Sequence, residues 1–156
     1  GELLALTRDD FDLKARTLRI NKSYQRLRGQ DVITTPKTKK SNRIIQMPDF
    51  LCDEMQDYFK QIYGLQDDSR VFPLSRHVLK GGMTYGCKQS GVKEIRIHDL
   101  RHGHVSLLID MGYCAVAIGN RVGHESVEIT YRYAHLFPTV QREMADKLNV
   151  ERKMEL

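Results

Sequence analysis

The sequence predicts an α+β fold, a small three-stranded antiparallel sheet packed on a mainly helical bundle. Two observations carry this. Between Thr17 and Met47 apolar residues recur at every second position, as in TLRINKSY, where Leu18 and Ile20 alternate with Arg19 and Asn21; period two marks a half-buried strand. From Pro48 onward they recur at every third and fourth position, the spacing of helices with one apolar face. Strands first and helices afterwards is the order of an α+β domain. At 156 residues the chain is expected to be a single domain, residues 1–156, with a core of its own.

Taken in order, GELLALT reads as the end of a helix, because Leu3, Leu4 and Leu6 are apolar and no capping residue or first turn precedes them. Three strand candidates follow: Thr17 to Tyr24, Asp31 to Thr35, and Arg43 to Met47, with a turn at Gly29 and the polar, lysine-rich PKTKKSN joining the last two. Pro48 and Asp49 open a helix with Leu51, Met55, Tyr58, Phe59 and Ile62 on one face, closed by Gly64. Val71 to Leu74 is extended, and Ser75 caps a helix running toward Ser90 despite Gly81, Gly82 and Gly86. HDLRHGHVSLLIDMG is helical to Gly112. Short helices over Ala115 to Val122 and Ser126 to Tyr131 come next, and Thr139 caps a last helix carrying Val140, Met144 and Leu148.

Composition narrows the function class. Hydrophobic residues make up 40% and charged residues 29%, too apolar for a disordered tail. No run approaches the roughly 20 apolar residues of a membrane span, and the N-terminal residues lack a signal-peptide pattern. A soluble protein of the cytoplasm is expected. Cys52, Cys87 and Cys114 are odd in number and widely spaced, which suits neither a disulfide framework nor a zinc cluster. The net charge of +5 is unevenly distributed: Lys14 to Arg43 holds ten basic residues against Asp31 alone. So concentrated a basic patch is either a solvated face or the footprint of a polyanion such as nucleic acid.

Four polar residues of the helical half stand out: His98 and Arg101 in HDLRH, His124 in VGHES, and Tyr133 in TYRYAH. His98-x-x-Arg101, a Gly-His pair 23 residues on, and a tyrosine nine residues past that histidine followed by x-His together resemble the C-terminal signature of the tyrosine recombinases, the phage-integrase family. TPKTKKSNRIIQMP resembles the family's β-hairpin, which sets Lys37 where its catalytic lysine sits. GELLALTRDDFDL resembles the stretch that follows the family's first catalytic arginine. That arginine lies two positions ahead of the glycine, so the chain is read as a fragment that starts just after it and lacks the upstream DNA-binding domains.

The resemblance implies site-specific DNA recombination and integration without metal or other cofactor. Tyr133 would attack the scissile phosphate to give a 3′-phosphotyrosine, conserving the bond energy for rejoining. Arg101 offers a fork of donors to the phosphate oxygens, His98 and His124 add hydrogen bonds or charge, and Lys37 would protonate the leaving 5′-oxygen. The expected partners are double-stranded DNA attachment sites, contacted by Arg19, Lys22, Arg26, Lys39, Lys40 and Arg43, in the cytoplasm of a bacterial host. A homotetramer on DNA is implied, its C-terminal helix from Thr139 to Leu148 docking on a neighbour or packing on its own domain. The fragment, without the first arginine, is expected to be crippled.

Plainer readings compete. Tyr131 lies two positions from Tyr133, which is preferred on the nine-residue offset from His124 and the x-His that follows it. Arg101 could pair with Asp99 on the surface, and Lys39 or Lys40 could take the place of Lys37. His98 and His102, four apart on a helix, invite a zinc reading, but DLR between them lacks the glutamate of HExxH and no third ligand is spaced for it. His102, His104 and His135 read as supporting or packing residues. The alternative class is a non-catalytic helix-turn-helix DNA-binding module built on AIGNRVGHESVEITYRY. A metal-dependent nuclease ranks last, since Asp67 and Asp68 are side by side rather than convergent.

Overall fold

A computed structural model describes residues 1–35, 41–124, 133, 145, 146 and 148. A short helix α1 (Glu2–Ala5) and a 3₁₀ turn (Arg8–Asp10) lead into strands β1 (Phe11–Asp12), β2 (Thr17–Ile20), β3 (Ser23–Leu27), β4 (Gln30–Thr34) and β5 (Arg43–Gln46). Helices α2 (Asp49–Gln61), α3 (Arg76–Ser90), α4 (Ile97–Asp110) and α5 (Ala115–Val122) follow. The expected α+β plan is what the chain adopts.

The strands are partitioned differently from the sequence reading. The alternation from Thr17 to Tyr24 breaks after Ile20, giving β2 and β3 in place of one strand. A three-stranded antiparallel sheet has the order β1-β2-β5, with Leu18 opposite both Phe11 and Ile45. β4 pairs with β3 in a separate hairpin, Tyr24 opposite Ile33, so 31–35 does not join the sheet as expected. The hairpin closes at Arg28 and Gly29, whose φ angles are 48° and 82°; two positive φ values in a two-residue loop match the right-handed twist of the strands. The reason for the break lies in the packing. Leu18 and Ile20 join the core of the sheet and α2, whereas Tyr24 is buried against Leu4 and Ala5 of α1.

Two cores position the site. Leu6, Phe11, Leu18, Ile20, Met47, Cys52, Met55 and Val71 fill the space between the sheet and α2. Val105 and Ile109 of α4 meet Ile118 and Val122 of α5 in a second cluster, against which Leu108 and Tyr133 pack. Residues four apart share a helix face, which is why these pairs turn inward together. Ser75 caps α3, its hydroxyl accepting from the Val78 amide at 3.3 Å. Asp99 caps α4, accepting from the Arg96 amide at 3.0 Å and from the Arg96 guanidinium at 2.7 Å. No helix among the described residues is long and apolar enough to cross a membrane.

Opposed guanidinium bonds strap β5 to α5. Arg43 Nε donates to the Arg121 carbonyl at 3.0 Å, and Arg121 Nη1 donates to the Gln46 carbonyl at 3.0 Å. Gly123 follows α5 with φ of 72°, and a Cβ there would lie 2.7 Å from Arg43 Nη1. The Gly of VGH is thus required twice, by the left-handed backbone that ends the helix and by the arginine beneath it.

Candidate active site

The polar residues singled out in the helical half converge where α4 faces the end of α5. Arg101, half-buried on α4, donates to the Val122 carbonyl. The last carbonyls of a helix lack intrahelical partners and carry its negative end, so the adjacent Arg121 and Val122 carbonyls hold Arg43 and Arg101 side by side. Two cations kept close can cradle a phosphate only if something offsets their repulsion, and Glu2 does so. Its carboxylate accepts from Arg43 Nη1 and Nη2, each at 3.0 Å, and its field also acts on Arg101. Burial tends to raise the Glu2 carboxyl, but the Arg43 hydrogen bonds and the charges around it leave it below its usual range. Burial, together with Arg43, lowers the Arg101 guanidinium, which nevertheless stays cationic as arginines do.

The Tyr133 hydroxyl is hydrogen-bonded to His102 Nδ1, with the two rings 5.8 Å apart. His98, exposed at the start of α4, meets the His102 ring edge-on with centroids 4.9 Å apart and planes at 87°. His124 is partly buried just past α5, its amide donating to the Gly119 carbonyl at 2.9 Å. Burial, then the charges of Arg101, His102 and Arg43, lower its imidazole below the ordinary value. His98, Arg101, His124 and Tyr133 are thereby brought to one region. Arg101 does not pair with Asp99, whose carboxylate is taken by Arg96.

His102, read from the sequence as a supporting or packing residue, is the one whose ring nitrogen meets the Tyr133 hydroxyl. The signal was present in HDLRH: positions four apart on a helix stack on one face, so His102 had to share the face of His98. Among the described residues no three His, Cys, Asp or Glu side chains are grouped to hold a metal ion.

The basic segment divides. Lys22 Nζ lies 2.7 Å from Asp10 Oδ2 and Arg19 Nε lies 3.3 Å from Asp10 Oδ1, the Asp10 side chain being fully buried. Arg26 lies 3.8 Å from Asp31 Oδ1 but is open to solvent, 61% exposed. Arg43, expected on the DNA-facing surface, is turned inward with 11% exposure. Lys37, Lys39 and Lys40 lie outside the described residues, as do Tyr131, His135 and the two helices expected after α5, apart from Ala145, Asp146 and Leu148.

Compared with known families, residues 1–139 match the phage integrase family, and the chain belongs to it. The ICEBs1 integrase of Bacillus subtilis strain 168 is 37% identical over 164 residues, which take in 96% of this chain and 44% of that protein. Among solved structures, the Tn1549 transposon integrase in complex with a circular intermediate DNA superposes on 97% of this chain and 53% of its own, with a TM-score of 0.76 at 20% identity. XerA recombinase covers 94% of this chain and 52% of its own, with a TM-score of 0.66 at 22% identity. At such identity the superpositions speak to the fold. The chain spans less than half the length of the ICEBs1 integrase.

Proposed function

We propose that this chain is the catalytic domain, residues 1–156, of a site-specific recombinase that cuts and rejoins double-stranded DNA attachment sites through a 3′-phosphotyrosine intermediate. The observation that carries this is the gathering of a tyrosine hydroxyl, two histidines and a guanidinium held by a helix C-terminus, in a chain of the phage integrase family. Tyr133 is the nucleophile, Arg101 and His124 stabilise charge on the phosphate, His98 assists from the exposed rim, and Lys37 protonates the 5′-oxygen, with Lys39 and Lys40 in the same segment. The reaction balances without ATP or metal: the Oη–P bond forms as the P–O5′ bond breaks, and rejoining reverses it. Arg19, Arg26, Lys39 and Lys40 contribute positive potential toward DNA, and Lys22 less, since Asp10 holds it. Arg43 supports the phosphate cradle from beneath. The integrase relatives favour this reading over a helix-turn-helix module without chemistry.

The finer points are part of the same proposal. The protein acts in the cytoplasm of a bacterial host as a homotetramer on DNA, with the segment from Thr139 to Leu148 docking on a neighbouring protomer. By itself the chain cleaves weakly, because the family's first arginine precedes the stretch that GELL resembles, and loss of one charge-stabilising donor costs about 10² to 10³ in rate.

The test is covalent trapping on a nicked suicide duplex, in this chain and in one extended upstream. Adduct formed by the native sequence and by Tyr131→Phe, but not by Tyr133→Phe, is the expected result. Adduct persisting in Tyr133→Phe overturns the nucleophile, and no adduct from either chain overturns the catalytic reading. Equal yields from the two chains overturn the weak activity proposed for this one alone.

A further inference from the structure

We infer that His102 is the proton acceptor for the Tyr133 hydroxyl, taking the proton on Nδ1 and releasing one from Nε2 to solvent. The inference rests on the proposed role of Tyr133 as nucleophile and adds a residue to that reaction. Three features of the structure lead to it. The Tyr133 Oη–His102 Nδ1 hydrogen bond puts the imidazole on the atom that must lose a proton. The exposed His98 ring stands edge-on against that imidazole, at the water side of the helix. Tyr133 itself is packed on the α4–α5 cluster, which holds its ring beside α4.

The chemistry needs such a group. A free phenol has a pKa of about 10 and a free imidazole one of about 6.5, so transfer before attack is uphill by roughly 3.5 units. Once Oη begins to bond phosphorus the phenol becomes far more acidic, and a base already in contact receives the proton within the same step. In that step the Oη–H bond breaks toward Nδ1, the Oη–P bond forms, and the P–O5′ bond breaks with O5′ protonated by the lysine segment. For the Tyr133 hydroxyl to donate in this contact Nδ1 must be bare, which is the neutral tautomer with its proton on Nε2. The groups facing His102 are His98, Asp99 and Arg101 on α4, His124 past the end of α5, and Tyr133. Of these the Asp99 carboxylate, electrostatically linked to His102, favours the imidazolium that forms. Arg101 favours a phenolate instead and opposes a second positive charge. The imidazolium therefore gives its Nε2 proton to water rather than storing it.

The discriminating pair is His102→Ala and His102→Asn. Asparagine keeps an acceptor near the place of Nδ1 and can hold the hydroxyl, but it cannot take a proton. Single-turnover adduct formation is followed on a nicked suicide duplex, in the chain extended upstream, from about pH 5.5 to about pH 9.5. Both variants should slow the step by about 10²-fold at neutral pH, and the gap should narrow as pH rises and solvent base takes over. DNA affinity and the circular dichroism spectrum should be unchanged. A wild-type rate in His102→Asn would reduce His102 to a tether and overturn the inference, as would a deficit in both variants that is constant with pH. Should His102→Ala not fold, His102→Asn decides by the same criteria. Wild-type adduct with unaffected variants sinks this inference alone, whereas no adduct from wild type sinks the nucleophile assignment and this inference with it.

Discussion

Arg43 and Glu2 form a two-toothed ion pair between β5 and α1, each guanidinium nitrogen 3.0 Å from one carboxylate oxygen. The same guanidinium bonds the Arg121 carbonyl at 3.0 Å, so one side chain ties the first helix and the sheet to the end of α5, where Arg101 is also held. Arg43→Ala strands a partly buried carboxylate and a helix-terminal carbonyl together. The expected cost is about 2–4 kcal/mol of unfolding free energy, read by urea denaturation. Arg43→Lys restores the charge without the fork and should recover less than half of it. Full recovery by lysine would show that geometry at this pair is immaterial.

Asp10 gives the chain an acid-sensitive joint. Burial tends to raise its carboxyl, but the Lys22 contact and the bonds from the Thr7 amide and hydroxyl, at 2.9 and 3.0 Å, leave it below the ordinary value of 3.8. The unfolded chain therefore takes up the proton first as pH falls. The stabilisation is fully present above that ordinary value and is lost as pH drops through the folded one. Glu2 acts with the same sign. Asp10→Asn should lower stability at neutral pH by about 2–3 kcal/mol and flatten the loss between about pH 5 and about pH 3. Thermal unfolding at those two pH values measures it, and a variant as acid-sensitive as the wild type would place the joint elsewhere.

Most of the helical half was legible in the sequence because its elements obey local rules. Ser75 caps α3, and Ala115 to Val122 is the predicted and observed α5. The sheet was less legible. Nothing in the alternation TLRINKSY says that Tyr24 leaves the core of Leu18 and Ile20 for that of Leu4 and Ala5, since the choice is made by residues 20 positions away. The two-residue β1 is too short to produce a period. The site divides in the same way. His98, Arg101 and His124 stand in recognisable spacings, but the inward turn of Arg43 depends on Glu2, 41 positions distant, and a basic run shows charge without showing which cations are already neutralised.

His104 should make stability fall in mildly acidic solution. Burial, then the Arg121 charge, lowers its imidazole below the ordinary 6.5, and Arg121 Nε donates to its Nε2 at 3.3 Å, a bond that only the neutral ring accepts. The unfolded chain gains the proton first, so this stability is intact above 6.5 and is lost as pH falls through the depressed folded value. His124 has the same sign. His104→Gln can still accept from Arg121 and does not titrate, so it should shrink the drop in melting temperature between about pH 7 and about pH 5. An unaltered drop would assign the slope to His124 or to a carboxylate.

Counterion release offers a direct reading of which basic residues meet DNA, because each phosphate neutralised adds about 0.9 to the slope of log affinity against log salt. From charge alone, replacing Arg19, Lys22 and Arg26 together should flatten that slope by up to roughly three units. The structure revises the expectation. Lys22 is 2.7 Å from the buried Asp10 carboxylate and bonds the Thr7 hydroxyl at 3.0 Å, whereas Arg26 is largely open to solvent. Arg19 lies between the two, half exposed with one nitrogen 3.3 Å from Asp10. Arg26→Gln should therefore flatten the slope by roughly one unit with little change in melting temperature, while Lys22→Gln should lower the melting temperature and leave the slope nearly intact. The triple replacement should reach roughly one to two units. Fluorescence anisotropy on a labelled duplex across a salt series, paired with thermal unfolding, separates the two effects. A full unit lost in Lys22→Gln at unchanged stability would mean that Asp10 gives up its lysine to the phosphate backbone when DNA binds.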